Sequence, residues 1–341
     1  MNDIRDTCNL KATLSEWGEP AFRAKQIEEW IWKKGAQTFE EMHNLPLKLR
    51  QKMAEIFTFH QTAIAMERRS KDGTAKFLFA LHDSNLIEGV LIPTETRVTA
   101  CISSQAGCPL QCTFCATGRL GFTRNLHYAE IFDQYMLMNR KSEELYGRPI
   151  SNIVYMGMGE PLLNLDNVVR SVELLTGKTG QALSPSRITI STAGVISGIY
   201  ALASRALKVG LALSLHCADE IKRLKIMPLT RTNRLQELQQ AIAFFAEKEQ
   251  SRITIEYVML HGLNDSVADA NKLALFCRAF PVKINIINYN ATHGDFAKSD
   301  PETVRQFMTQ LEYKNLIVNL RQSRGEDIDA ACGQLAGQNS K

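Results

Sequence analysis

Residues 107–118 read GCPLQCTFCATG and hold three of the chain's eight cysteines. Cys108, Cys112 and Cys115 follow a C-x3-C-x2-C spacing. Cysteines grouped in this way, rather than spread as in a small secreted disulfide scaffold, indicate metal or redox chemistry. A structural zinc site closes with four protein ligands, whereas a reacting metal site keeps one position open. Three grouped thiolates therefore favour a metal centre with an open coordination position.

Two metals remain as alternatives at this stage. Zinc could take His127 as a fourth ligand beside the three cysteines. An iron–sulfur cubane is normally held by four thiolates, so three would leave one iron without a protein ligand. The spacing resembles the signature of radical S-adenosylmethionine (SAM) enzymes, in which that open iron binds SAM. The resemblance implies a [4Fe-4S] cluster on Cys108, Cys112 and Cys115, with SAM as the second cofactor.

The composition is that of an ordinary soluble globular protein. The chain has 341 residues, of which 45% are hydrophobic and 22% charged, enough for a large domain with a smaller companion. No apolar run reaches the roughly 18–20 residues of a membrane helix, and MNDIRDTCNLKATLSEW lacks the apolar centre of a signal peptide. We expect a cytoplasmic protein without a membrane partner. The net charge of +4 permits contact with nucleic acid but does not indicate it.

Short β-branched runs recur downstream of residue 98 and alternate with amphipathic helical stretches such as LQELQQAIAFFAEK. Alternating strands and helices predict an α/β fold with parallel strands. Six such runs favour a partial (β/α)6 barrel, and NLIVNL is expected to add a strand before the tail. The six runs are VTACIS, NIVYMG, RITIST, LALSLH, RITIEYVML and KINIINYN.

The N-terminal part has a different pattern. Residues 1 to about 70 are predicted to be helical, with RAKQIEEWIWKKG and LPLKLRQKMAEIF as the amphipathic segments. KFLFALHD and NLIEGVLIP predict a strand pair. We expect a small helical, RNA-contacting domain over residues 1–75 and a strand pair with linker over 76–97. The partial barrel with a C-terminal cysteine loop then spans 98–341.

Polar residues and glycines follow several of the predicted strands. In barrels of parallel strands the chemistry lies at the carboxyl ends of the strands, so these residues predict one shared site. The alternative is that serine and asparagine simply begin loops and caps. The residues concerned are Gly159, Glu160, Ser191, Ser214, His216 and Asn290.

Two cysteines outside the cluster motif also stand out. Cys101 lies on the run leading into the motif, seven residues before Cys108, and Cys332 lies in SRGEDIDAACGQLAG, a glycine-containing stretch that indicates a mobile loop. Free cysteines are commonly small buried hydrophobes, and that interpretation is adopted for Cys8, Cys217 and Cys277.

Taken together, CISSQAGCPLQCTFCATG, MGMGEPLLN, SLH, SRGEDIDAACGQL and EPAFRAKQIEEWIW resemble the RlmN/Cfr family of RNA adenine methyltransferases over nearly the whole chain. The resemblance implies a radical SAM barrel and 23S rRNA and tRNA as substrates. It also implies an electron donor such as flavodoxin or ferredoxin, and a monomer is expected.

The resemblance further implies a reaction that uses two SAM molecules per turnover. Cys332 takes a methyl group from the first SAM, and the second yields a 5′-deoxyadenosyl radical that abstracts hydrogen from the S-methyl. The carbon radical adds to adenine, Glu88 accepts the ring proton, and Cys101 attacks Cys332 to release the RNA. A transient disulfide between Cys101 and Cys332 results. The implied SAM contacts are Gly159, Glu160, Ser191, Ser214, Leu215, His216 and Asn290.

Within the family, one branch methylates adenine C2 in the peptidyl transferase centre of 23S rRNA and next to the tRNA anticodon. The Cfr branch methylates C8 and confers antibiotic resistance. GEPLLN, SRGED and Ala106, where Cfr sequences tend to carry cysteine, favour the C2 branch. The alternatives are a radical SAM enzyme for a small molecule or peptide, which would not need Cys101 and Cys332, and a zinc-stabilised RNA-binding module.

Overall fold

The computed structural model describes residues 2–177, 180–292 and 296–336. The N-terminal region forms three helices and packs Ile27, Ile31 and Trp32 into the core. Asp6 begins the first helix by accepting hydrogen bonds from the amides of Cys8 and Asn9. The predicted helices are confirmed. They are α1 (Thr7–Glu16), α2 (Phe22–Glu28, followed by a π-helical turn Glu29–Lys33) and α3 (Leu47–Ile56).

An antiparallel meander follows the helices, and it has one strand more than the predicted pair. The expected helical pattern over residues 57–70 is wrong, because β1 (Ala63–Arg69) lies there and pairs with β2 (Ala75–Ala80). β1 is an edge strand with half-exposed side chains, so its sequence lacks the apolar alternation that marks a buried strand. The third strand is β3 (Leu86–Pro93).

All six predicted runs are parallel strands, and NLIVNL adds a seventh. The side chains of the six are largely buried, as expected for a parallel sheet that is covered on its faces, whereas those of the seventh, an edge strand, are mostly exposed. β3 pairs antiparallel with the first of them, so the meander continues the barrel sheet to ten strands within the described residues. The parallel strands are β4 (Val98–Cys101), β5 (Asn152–Tyr155), β6 (Ile188–Thr192), β7 (Gly210–Ser214), β8 (Ile253–Met259), β9 (Val282–Asn288) and β10 (Ile317–Arg321). The sheet order is β10-β9-β8-β7-β6-β5-β4-β3-β2-β1.

Helices connect the parallel strands, which confirms the α/β partial barrel. They are α4 (Ala116–Leu120), α5 (Tyr128–Tyr146), α6 (Leu165–Thr176), α7 (Ile196–Ser204), α8 (Glu220–Ile226), α9 (Leu235–Glu249), α10 (Val267–Phe276) and α11 (Pro301–Tyr313). Shorter pieces are the ribbons Asn2–Asp3 with Phe57–Thr58 and Gln105–Gly107 with Phe122–Asn125, and the 3-10 turns Pro161–Asn164, Pro185–Arg187, Pro228–Arg231, Cys277–Ala279 and Glu326–Ile328. None of the described helices is long and apolar enough to cross a membrane.

Candidate active site

A cavity of about 240 Å³ opens where the parallel strands end. This is the edge at which the predicted polar residues were expected to meet. All the predicted site residues are described, and all except Glu88 and Leu215 line this cavity. The predicted residues in its wall are Cys101, Cys108, Cys112, Cys115, Gly159, Glu160, Ser191, Ser214, His216, Asn290 and Cys332.

The three-cysteine loop is tightly wrapped because two glycines permit close backbone contacts. A Cβ on Gly107 (φ +77°) would lie 2.0 Å from the Gly121 carbonyl oxygen, and one on Gly118 would lie 2.9 Å from the Cys112 amide nitrogen. The Cys108 amide donates to the Gly121 carbonyl at 2.8 Å. All three cysteines are half-buried and line the cavity. The loop therefore holds its three thiols at one wall of the cavity.

The environment of these thiols suits a thiolate-bound cluster. Burial raises the pKa of Cys108 to about 12 and also raises the pKa of Cys112 and Cys115. Metal ligation displaces the thiol proton and offsets the cost of buried negative charge. Among the described residues, no three His, Cys, Asp or Glu side chains are grouped so that they could hold a single metal ion. A cubane needs no such convergence, because its cysteines bind different irons.

His127 does not act as the fourth ligand of a zinc site. Its side chain accepts a hydrogen bond from the Ala129 amide at 3.4 Å and begins α5, and its ring packs 4.0 Å from the Tyr128 ring. It is not among the residues that line the cavity. The zinc alternative therefore loses its fourth ligand, and the three cysteines fit an iron–sulfur cluster.

Gly159 and Glu160 form a rigid turn after β5. Gly159 has φ +96°, and a Cβ there would lie 2.4 Å from the Gln105 Cβ. The Gln105 side chain accepts a hydrogen bond from the Glu160 amide at 2.8 Å. The Glu160 carboxylate accepts from the amides of Ala193 and Leu162 at 2.7 and 3.1 Å, yet burial still raises its pKa to about 7. The turn presents a fixed carboxyl group to the cavity.

We expect Gly159→Ala to weaken SAM binding and to destabilise the fold by about 1–3 kcal/mol, since it combines a positive φ with a steric overlap. The new Cβ would push the turn off Gln105 and move Glu160. The measurement is SAM affinity by calorimetry together with thermal unfolding.

The matched control is Gly147→Ala. Gly147 also has a positive φ (+66°), but a Cβ there would meet no atom within 4 Å, and the residue ends α5 away from the cavity. It should lose some stability and keep its SAM affinity. Equal SAM affinity in Gly159→Ala and wild type would contradict the steric argument.

Ser191, Ser214 and His216 also line the cavity. The two serine hydroxyls are 3.3 Å apart. His216 has φ +55°, and its Nδ1 accepts a hydrogen bond from the Val258 amide at 3.1 Å. Burial lowers the pKa of His216 to about 3, so the ring is neutral and serves as a polar wall rather than as an acid. The Leu215 side chain is fully buried in the core, so any ligand contact of Leu215 must come from its backbone.

Cys101 and Cys332 come from distant parts of the sequence and face the same cavity. Burial raises the pKa of Cys101 to about 12, the nearby Cys332 raises it further, and Arg321 opposes the shift. Cys332 is exposed, and both cysteines are free. Elsewhere Cys217 and Cys277 are buried, as expected, whereas the expectation for Cys8 is wrong because it is exposed on α1.

The Cys332 segment is anchored on both sides, although its sequence indicated mobility. The Asn290 side chain donates to the Cys332 carbonyl at 3.3 Å and accepts from the Ser323 hydroxyl at 2.6 Å. The Ala116 amide donates to the Gly333 carbonyl at 2.7 Å. Asn290, which follows β9, therefore connects the end of that strand to the segment that carries Cys332.

Glu88 lies beside the cavity, but Lys76 and the Ala336 amide cover its carboxylate. It is on the same face of β3 as Val90 and Ile92, which line the cavity. Its side chain is buried, with Oε1 3.3 Å from the Lys76 Nζ and Oε2 accepting from the Ala336 amide at 2.9 Å. In this arrangement Glu88 cannot reach a base in the cavity unless Ala336 moves away.

Sequence reasoning missed one charged pair in the cavity wall. The Arg321 Nη1 lies 3.5 Å from the Glu256 Oε2, and the Asn285 side chain donates to the other Glu256 oxygen at 2.9 Å. Glu256 is a charged residue inside the largely apolar run RITIEYVML, and this interruption was the sequence signal from which the pair could have been found. Arg321 is the cation that faces Cys101 and Cys332.

Comparison with known proteins identifies the family. The profile of the Radical SAM superfamily matches residues 102–274, and that of the ribosomal RNA large subunit methyltransferase N-terminal domain matches residues 5–59. A curated relative from Cytophaga hutchinsonii, named probable dual-specificity RNA methyltransferase RlmN, is 47% identical over 96% of this chain and 90% of its own length. The chain belongs to the RlmN family of radical SAM methyltransferases.

A second RlmN relative and one solved structure agree with this assignment. The relative from Flavobacterium psychrophilum is 46% identical over 94% of this chain and 92% of its own length. The crystal structure of a radical SAM methyltransferase from Sphaerobacter thermophilus superposes with a TM-score of 0.92 at 36% identity. It covers 99% of this chain and 100% of that one. Membership of the radical SAM family implies a [4Fe-4S] cluster and SAM.

Proposed function

We propose that this RlmN-family chain methylates C2 of an adenosine in the peptidyl transferase centre of 23S rRNA, and C2 of the adenosine next to the anticodon in tRNA. The observation that carries the proposal is that Cys101 and Cys332 line the same cavity as the three cluster cysteines. The relatives' name, dual-specificity RNA methyltransferase, supports two classes of RNA substrate.

Adenine C2 is an amidine carbon with no useful nucleophilicity, so it cannot displace a methyl group from a sulfonium. In the proposal, Cys108, Cys112 and Cys115 hold the cluster. When bound and reduced, the cluster supplies with SAM the 5′-deoxyadenosyl radical needed to activate a C–H bond. Gly159, Glu160 and the backbone of Leu215 would hold SAM against it, with Ser191, Ser214, His216 and Asn290 completing the SAM pocket.

Cys332 would act first, as a nucleophile. Its thiolate attacks the methyl carbon of one SAM, so that an S–C bond forms while the sulfonium–methyl bond breaks and S-adenosylhomocysteine leaves. Exposure of Cys332 on its segment suits this step, because the sulfur must meet a large cosubstrate. A second SAM is then consumed to remove one hydrogen atom from the S-methyl group.

The carbon radical on Cys332 adds to C2 and forms a C–C bond between protein and RNA. The adduct would then give up one electron, for which the cluster would be the acceptor when bound, and Glu88 would accept the ring proton. The Cys101 thiolate attacks the Cys332 sulfur, the S–CH2 bond breaks, and its electron pair stays on carbon, which takes a proton to become the methyl group. The Cys101–Cys332 disulfide left behind needs an external dithiol reductant before the next turnover.

The runner-up is methylation of C8 by the Cfr route, which would use the same cysteines. Ala106, buried in the ribbon before the cluster loop, stands where Cfr sequences tend to carry cysteine, and the relatives above carry the RlmN name. These observations favour C2. We further propose that a flavodoxin or ferredoxin supplies the electron and that the protein acts as a monomer.

The test is anaerobic turnover of the reconstituted protein with SAM that carries a trideuterated methyl group. We expect 2-methyladenosine in digests of both 23S rRNA and tRNA, carrying two deuterons rather than three. One deuteron leaves with the adenosyl radical, and a solvent proton completes the methyl group. A product with three deuterons would show direct methyl transfer, and 8-methyladenosine would favour the Cfr route. A tRNA digest without methylation would restrict the substrate to rRNA.

A further inference from the structure

Lys76 is a buried lysine that the proposed reaction leaves without a role. It lies on β2 opposite Val90, while Glu88 lies opposite Leu78, so Lys76 and Glu88 are diagonal neighbours on the cavity-facing side. Its side chain is 6% exposed, and its Nζ is 3.3 Å from the Glu88 Oε1. Burying a lysine is costly unless it is paired and hydrogen-bonded, which indicates a specific use for this charge.

The same ammonium group also contacts the Cys332 segment. Its Nζ donates to the Asp329 carbonyl at 3.1 Å. On the other side of Cys332, the Ala336 amide donates to the second oxygen of Glu88 at 2.9 Å. Lys76 and Glu88 thus hold the segment at two points that bracket the cysteine.

We propose that Lys76 is a positioning residue that holds the Cys332 segment at a fixed position relative to the Glu88 carboxylate. The inference rests on the proposed function, because it matters only if Glu88 accepts the ring proton of a base attached to Cys332. When RNA enters, Ala336 must leave Glu88 for the carboxylate to reach the base. The bonds from Lys76 to Asp329 and to Glu88 then remain to hold the methyl carrier and the proton acceptor together.

The reaction step most sensitive to Lys76 is therefore proton removal from the adduct. Methylation of Cys332 by the first SAM does not involve Glu88 and should survive. If the Cys332 segment shifts relative to Glu88, the enzyme should still cleave the second SAM but should not complete the methylated product. We expect Lys76→Met to lower methyladenosine formation by about a hundredfold, the cost of a misplacement of roughly 1 Å. The ratio of 5′-deoxyadenosine to methyladenosine should rise correspondingly.

The experiment compares the reconstituted wild type, Lys76→Met, Lys76→Gln, Lys76→Arg and the surface control Lys314→Met. It measures Cys332 methylation by peptide mass, the deoxyadenosine-to-product ratio, and hydrogen exchange in the peptide 325–336. Lys76→Arg keeps the positive charge and should bring the ratio of 5′-deoxyadenosine to methyladenosine part of the way back to that of wild type. Lys76→Gln replaces Lys76→Met if the methionine variant does not fold. Lys314→Met should match wild type. Faster exchange in 325–336 with an unchanged product ratio would overturn the proposal, because Lys76 would then serve stability alone.

Failure of the proposed function gives a different result. In that case the wild type would form no 2-methyladenosine, whereas failure of the Lys76 proposal leaves wild-type 2-methyladenosine formation intact and the product ratio of Lys76→Met equal to that of wild type.

Discussion

Replacing Cys332 with alanine is expected to abolish RNA methylation while the fold stays intact. Cys332 is exposed, and the contacts described for its own atoms and its neighbour Gly333 are made by backbone carbonyls. Alanine keeps those contacts and removes only the sulfur that carries the methyl group. The variant should show no methyladenosine and no covalent RNA adduct. Its thermal unfolding, iron content and SAM binding should match those of wild type.

The matched control for this variant is Cys8→Ala. Cys8 is also an exposed free cysteine, but it lies on α1, outside the lining of the cavity. It should leave methylation unchanged. Methylated RNA from Cys332→Ala at a rate close to wild type would mean that the methyl group does not pass through Cys332. The cluster chemistry would then need a different methyl carrier.

Much of the barrel could be predicted because its strands are buried on both faces. RITIST carries β-branched residues at four of its six positions and KINIINYN at three of its eight, and this enrichment is visible in the local sequence. β1 was missed because an edge strand with half-exposed side chains has no such pattern. In the cavity, residues at strand ends could be grouped in advance, since parallel strands bring their carboxyl ends to one edge.

The contacts that decide reactivity could not be predicted in the same way. The Glu88 carboxylate is covered by Lys76 from the neighbouring strand and by the backbone amide of Ala336 from the C-terminal segment. These residues are far apart in sequence, so no local pattern predicts that they are in contact. The same holds for Arg321 and Glu256, which lie on β10 and β8 and meet only across the sheet. Motif spacing predicted the cluster because its ligands are close in sequence. The roles of Glu88, Cys101 and Cys332 depended on family resemblance.

The second large effect is expected for Cys101→Ala, which should stop the reaction at the covalent protein–RNA adduct. Formation of the adduct needs only Cys332, the cluster and SAM. Its release needs a thiolate that attacks the Cys332 sulfur. Among the described residues lining the cavity, the cysteines other than Cys101 and Cys332 are the three proposed cluster ligands, which would not be available as nucleophiles. RNA consumption should therefore end at no more than one molecule per chain.

The adduct is measured as a denaturation-resistant complex with labelled RNA. After nuclease digestion, the Cys332 peptide should carry an adenosine joined through one carbon. Cys217→Ala is the matched control, because Cys217 is buried like Cys101 but lies outside the cavity lining, and it should turn over repeatedly. Repeated turnover by Cys101→Ala, with free methylated RNA and no adduct, would contradict the resolving role. Burial raises the pKa of Cys101 to about 12 and the neighbouring Arg321 opposes that shift, so we expect Arg321 to favour the Cys101 thiolate in the release step.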